Sequence, residues 1–287
     1  MPLGIPTLII ADDPQLIAAA RAAYAHWCAA APASEPQIEL RLAIGRASTE
    51  RVSLAIAVEG SCLQLAGNGI RGTADAATRK ASATISLEIA KDAARFADVC
   101  DTLLLFILAR NGRTPVHAAA FLLGDLAIVL AGPSGSGKST LALAAAERGD
   151  PVLSDDTVFV QCEPRFRLWG FPRPIHVYPE DAPAGEYPIR SRAGKFKAAL
   201  PVDAPALSAD QAALVLLDWG TDIALSPADP AQAVEALMNL DAGFDLLEAE
   251  SRAALEALAS AGAWRLTLTS DPAAAVAALR DGFAAPQ

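Results

Sequence analysis

The stretch Gly132-Pro133-Ser134-Gly135-Ser136-Gly137-Lys138-Ser139, followed by Thr140, has the phosphate-loop spacing G-x-x-x-x-G-K-[ST]. Its flanks are the ones that spacing needs. Upstream, Leu126 to Ala131 is an apolar run of strand length; downstream, Leu141 to Arg148 is rich in Ala and Leu and stops at Gly149. The order is therefore strand, glycine loop, helix. Glycines let successive backbone N–H groups turn inward around phosphate oxygens, and a helix starting near Lys138 adds its positive end. On this reading Gly132, Ser134, Gly135, Ser136, Gly137 and Thr140 surround a nucleotide's phosphates. Lys138 reaches the β- and γ-phosphates, and Ser139 holds Mg2+.

A nucleotide site alone leaves hydrolysis, transfer and signalling open, so the flanking residues have to decide. Pro151 to Val160 is extended and β-branched, with Asp155 and Asp156 adjacent near its start. Strand neighbours point to opposite faces, so both carboxylates face a γ-phosphate only if the chain bends there. One then binds metal while the other handles a proton. Ser154-Asp155-Asp156 also suits a plain turn or helix cap. Pro115 to Leu123 reads as one strand joined by Gly124-Asp125 to the strand that feeds the loop, a hairpin that sets His117 beside the nucleotide strand. A lone histidine on an apolar strand is more often a satisfied core residue than a catalyst.

The segment from His117 to about Val160 resembles the HPr serine kinase/phosphorylase group and its shorter HPr-kinase-related relatives. They share a His, a strand, a phosphate loop, a helix ending in Arg-Gly or similar, and an Asp-Asp pair; here Gly132 comes 15 positions after His117, and Asp155 comes 23 positions after Gly132. The resemblance implies an α/β P-loop kinase core, a mixed sheet with flanking helices, preceded by a smaller α+β domain. It implies ATP and Mg2+, with Asp155 as the base toward an acceptor serine hydroxyl, Asp156 as a contact to metal or phosphate, and His117 as a partner on the phosphate side. The roles of the two aspartates are exchangeable. The loop ends Lys-Ser-Thr, where the bifunctional enzymes usually have Lys-Ser-Glu, and their glutamate-containing glycine signature is missing after the Asp pair. Instead Leu168-Trp169-Gly170-Phe171-Pro172-Arg173-Pro174-Ile175 looks like the related kinases found near peptide-modifying gene sets. The implied acceptor is thus a serine on a small protein or ribosomal peptide precursor rather than HPr, and a homo-oligomer is implied by resemblance only.

Charge supplies a separate argument. The chain carries a net charge of -10, yet residues 1 to 115 hold eleven basic and eleven acidic side chains. The remainder has twelve Lys and Arg, and seven of them (Arg165, Arg167, Arg173, Arg190, Arg192, Lys195 and Lys197) fall between 165 and 197, beside three acids. A basic segment in an acidic domain reads as an anion site; its Pro and Gly content suits a loop over an active site, and Arg190 to Lys197 reads as a mobile flap. A solvated surface loop is the alternative. Arg173, between two prolines, and Lys195 are the candidate phosphate-side cations.

The 287 residues suit two modest domains, assigned as 1–112 and 113–287. The first is expected to hold a strand at 8–10, a helix from Pro14 to Ala30, extended segments at 52–58, 62–66 and 83–89, and a helix from Lys91 to Arg110; no catalytic pattern is evident in it. No apolar run approaches the roughly 18 residues that span a bilayer. Cys28, Cys62, Cys100 and Cys162 have neither zinc nor disulfide spacing. A cytoplasmic location is expected, without membrane or nucleic-acid partners. The sequence reads as an ATP- and Mg2+-dependent serine kinase. Alternatives are a small-molecule kinase acting on a free amino acid or other alcohol, and a non-catalytic nucleotide-dependent switch.

Overall fold

Alternating burial marks the strands of the first part of the chain: Ile38, Leu40 and Leu42 turn inward from one, Leu63 and Leu65 from another. The computed structural model describes residues 1–28, 35–45, 54–67, 69–192, 195–203, 205–240 and 248–284. These divide into two compact units, Met1–Arg113 and Thr114–Gln287. Both mix α and β structure.

In the first unit the described elements are β1 (Thr7–Ala11), α1 (Pro14–Ala23), β2 (Ile38–Gly45), β3 (Ala55–Glu59), β4 (Cys62–Gly67), β5 (Ile70–Asp75), β6 (Lys80–Ser86), α2 (Leu87–Lys91) and α3 (Ala93–Ala109). The described strands form a sheet in the order β1-β2-β6-β5-β4-β3, parallel from β1 to β6 and antiparallel beyond. Asp92 caps α3 by accepting from the N–H groups of Ala94 (3.1 Å) and Arg95 (3.2 Å). That cap delays the helix expected from Lys91. Phe96, Cys100, Leu103 and Ile107, at helical spacing, bury one face of it. The helix expected from Pro14 to Ala30 stops at Ala23, and a single 3-10 turn, Ala25–Trp27, follows; residues 29 and 30 lie outside the described residues, as do 52 and 53. The segment expected to be extended through Ile89 leaves the sheet after Ser86, where the strong helix formers of Leu87–Lys91 take over.

The second unit contains β7 (Thr114–Val116), β8 (Ala119–Leu123), β9 (Leu126–Ala131), α4 (Lys138–Glu147), β10 (Val152–Ser154), β11 (Val158–Gln161), β12 (Arg167–Trp169), β13 (Ile175–Val177), β14 (Ile189–Arg192), β15 (Lys195–Leu200), β16 (Ser208–Ala209), β17 (Gln211–Trp219), β18 (Ala224–Ala228), α5 (Pro230–Leu240), α6 (Glu248–Ser260), β19 (Ala263–Leu268) and α7 (Pro272–Ala284). Its central sheet runs β10-β8-β9-β17-β19-β18. β9, β17 and β19 are parallel, and β8 is antiparallel to both β9 and β10, so β10 also points the same way as β9. The carboxyl ends of four strands therefore share one edge. Successive residues of β9 serve two cores. Ala127, Val129 and Ala131 pack with α5 and α6 on one face, while Ile128 and Leu130 pack with α4 and α7 on the other.

Two strands expected to be continuous are broken, and for the same reason. Residues 115–123 divide into β7 and β8, and residues 151–160 into β10 and β11; β8 and β10 stay in the central sheet, whereas β7 and β11 pair in a second sheet, β16-β12-β11-β7. Pro115 lies in β7, at the sheet's edge, where its missing N–H costs nothing. The chain thus crosses between the same two sheets twice, at His117-Ala118 and at Asp155-Asp156. Among the described residues, no helix is long and apolar enough to cross a membrane.

Candidate functional site

The glycine loop follows β9 and opens into α4. Gly137, at the cap position, has φ +98 and contributes no side-chain cap, so the first-turn N–H groups of α4 have no capping side chain. A Cβ at Gly137 would lie 3.2 Å from Leu268 Cδ1 and 3.8 Å from Trp219 Cζ2. Ser134 and Gly135 are exposed, Ser139 and Thr140 half-buried on the first helical turn. Ser136 is 4 % exposed, and its hydroxyl has no hydrogen-bond partner among the described residues. A buried hydroxyl left so costs about 1–3 kcal/mol. Lys138 is also buried, its Nζ donating to the carbonyl oxygens of Gly132 (2.6 Å) and Pro133 (3.1 Å).

At the neighbouring strand end the chain bends, as the adjacent carboxylates require. Ser154 Oγ accepts from the N–H groups of Asp156 (3.4 Å) and Thr157 (3.3 Å), a side-chain turn that ends β10. The bend sends the two aspartates into different surroundings. Asp155 is buried, and its Oδ2 accepts from the backbone N–H of His176 at 2.8 Å, with His176 Nδ1 3.8 Å away. Asp156 is 44 % exposed, with His117 Nδ1 3.8 Å from its Oδ1. That distance is a charge contact when the imidazole is protonated and is too long for a hydrogen bond. His117 is itself 39 % exposed rather than packed into a core.

The described residues of the expected flap are extended. Arg190 and its neighbours lie in β14, which with β13 and β15 forms an antiparallel sheet in the order β13-β15-β14; residues 193 and 194 of the expected flap lie outside the described residues. Its register sets Arg190 opposite Lys197 and Arg192 opposite Lys195. Lys195 Nζ and Lys197 Nζ lie 5.9 and 5.6 Å from the Tyr178 ring centre, and Lys197 Nζ donates to the His176 carbonyl at 3.3 Å. His176 thus links the ribbon to Asp155. The Arg173 guanidinium lies 4.6 Å over the Phe171 ring and donates to Pro172 O at 3.5 Å.

The structure brings Asp156 to His117 and Asp155 to His176, on the sheet edge that also carries the loop. His176 and Trp219 were not singled out by sequence reasoning. Nothing local marks His176, because its link to Asp155 spans 21 residues. Trp219 could have been noticed as a large aromatic closing the apolar run 212–217.

No family model matches the chain, and no curated protein matches it. Among solved structures it is similar to the Hpr(Ser) kinase/phosphatase from Coxiella burnetii, at 11 % identity and a TM-score of 0.34, over 60 % of this chain and 97 % of that one. At that score the overlap bears on neither activity nor residues.

Proposed function

We propose that this chain is a kinase that uses ATP and Mg2+ to transfer the γ-phosphoryl group to a hydroxyl, with a serine of a small protein or peptide precursor as acceptor. The observation that carries the reading is the glycine loop's buried, unpartnered Ser136 hydroxyl beside an uncapped helix start. Hydrogen-bond donors without acceptors, next to a lysine, suit phosphate oxygens.

Phosphoryl transfer asks the protein for positioning and for cations where charge spreads, and little covalent chemistry. Lys138 would exchange its loop carbonyls for β- and γ-phosphate oxygens. Mg2+ bound there would neutralise charge on those oxygens, with Ser139 and one carboxylate as its protein ligands; among the described residues no cluster of three His, Cys, Asp or Glu forms a complete cage, which suits an ion that keeps waters and phosphates in its shell. The exposures favour exchanging the aspartate roles implied by resemblance. Asp155 is buried and fixed by the His176 N–H, as a metal-side carboxylate should be. Asp156, open and beside His117, is better placed to take the acceptor's proton. The acceptor oxygen then bonds to the γ-phosphorus as the bond to the β-bridging oxygen breaks, releasing ADP. Lys195 and Lys197 of β15, beside Tyr178, favour an acceptor whose serine is flanked by acidic residues.

The test is transfer from γ-labelled ATP into small proteins and synthetic serine peptides, with acidic and neutral flanks. A labelled acceptor that is lost with Lys138→Ala, and reduced about 100- to 10,000-fold by Asp156→Asn, supports the proposal. ATP binding without labelled acceptor would favour the switch reading. Label that survives Lys138→Ala would refute the loop's role.

A further inference from the structure

Trp219 is 58 % exposed, an unusual state for the largest apolar side chain. It closes β17, whose Leu216 is in register with Ala131, the last residue before the glycine loop. Three further residues carry β17 about 10 Å past that point at the usual rise per residue. Trp219 therefore lies beyond the end of β9, level with Leu268 at the end of β19, and its Cζ2 lies 3.8 Å from where a Cβ at Gly137 would stand. An exposed aromatic ring thus stands beside the start of α4.

The order of the sheet gives the ring a direction. β10, with Asp155 and Asp156 beyond its end, lies two places from β9 on one side, and β17 is the next strand on the other. A nucleotide with phosphates on the loop and its γ-end toward the carboxylates would extend its nucleoside toward β17. Ligands of open α/β sheets lie in this crevice outside the carboxyl ends of the strands. Asp218, the preceding residue, is paired with Arg265 at 3.2 Å, so the charged groups of this strand end are engaged with each other.

We infer that Trp219 is the base-stacking residue of the nucleotide site, packing its indole against the purine of a nucleoside triphosphate. The inference rests on the proposed phosphate-loop reading and extends it to the other end of the ligand. Stacking uses the π-face that every base has, so adenine and guanine both fit. Selection between them does not come from Trp219.

The experiment compares three probes with Mg2+ on the full chain, by calorimetry: ATP, GTP and inorganic tripolyphosphate, which has no base. Trp219→Ala should weaken ATP and GTP by about 5- to 150-fold, the range of a lost base–aromatic stack, and leave tripolyphosphate within twofold. Trp219→Phe, which keeps an aromatic face and guards against misfolding of the alanine variant, should retain most ATP affinity. ATP should quench tryptophan emission in the parent protein, with the quench lost in Trp219→Phe. Unchanged ATP affinity in Trp219→Ala, or equal weakening of ATP and tripolyphosphate, overturns the inference. Failure of tripolyphosphate to bind the parent protein overturns the loop reading beneath it, and is told apart by that control.

Discussion

Ser136→Ala should make the unliganded protein more stable and the nucleotide complex weaker. The hydroxyl is 4 % exposed and unpartnered among the described residues, a burden of about 1–3 kcal/mol. Alanine removes it but also leaves the space the Oγ fills beside Gly132. The two effects oppose each other, and a net gain of about 1 kcal/mol is expected, since a single small atom leaves little void. For a unit of this size that raises the melting temperature by about 2–4 °C. In the complex the same hydroxyl would bond to charged phosphate oxygens, worth about 1.5–3 kcal/mol, so ATP should bind about 10- to 150-fold more weakly. Thermal unfolding of parent and variant, with and without Mg2+ and ATP, measures both numbers at once. A variant less stable without ligand would show that the hydroxyl is satisfied. A variant with an undiminished ATP-induced shift would show that it does not touch phosphate.

Other substitutions test separate parts of the structure. Gly170→Ala would place a Cβ 2.6 Å from Leu153 O and 2.8 Å from Ala206 O, both backbone, so it should lower stability by about 1–3 kcal/mol in a denaturant titration. Asp155→Asn should lower both stability and transfer, since it replaces the charged acceptor of the His176 N–H; Asp156→Asn should lower transfer with the melting temperature nearly unchanged. The Arg167 guanidinium hydrogen-bonded to Asp210, outweighing the opposing effect of desolvation, holds that carboxyl below its usual 3.8. A depressed folded value contributes stability above the unfolded pKa, which is lost as pH falls through the folded one. The stability difference between parent and Asp210→Asn should therefore shrink below about pH 4, as melting curves across pH 2–7 would show.

What could be read from the chain alone was local. The apolar run 126–131, the glycine spacing and the Ala-rich segment after it dictate strand, loop and helix because each depends on neighbours a few residues away. Even the need for a bend at Asp155-Asp156 follows from the alternation of side chains along a strand. Local pattern did not reveal that Pro115–Leu123 and Pro151–Val160 each change sheet midway, because an apolar run reads the same whether its partner strand continues or not. Tertiary pairing decided that, and with it which aspartate is buried, which stands open beside His117, and how β13 reaches Asp155 through a backbone N–H that carries no sequence signature. It also decided Trp219's place. The 81 residues between Gly137 and Trp219 say nothing of contact; the parallel register of β9 and β17 sets the indole at the mouth of the loop, because hydrogen-bonded strands fix distances that spacing in sequence does not.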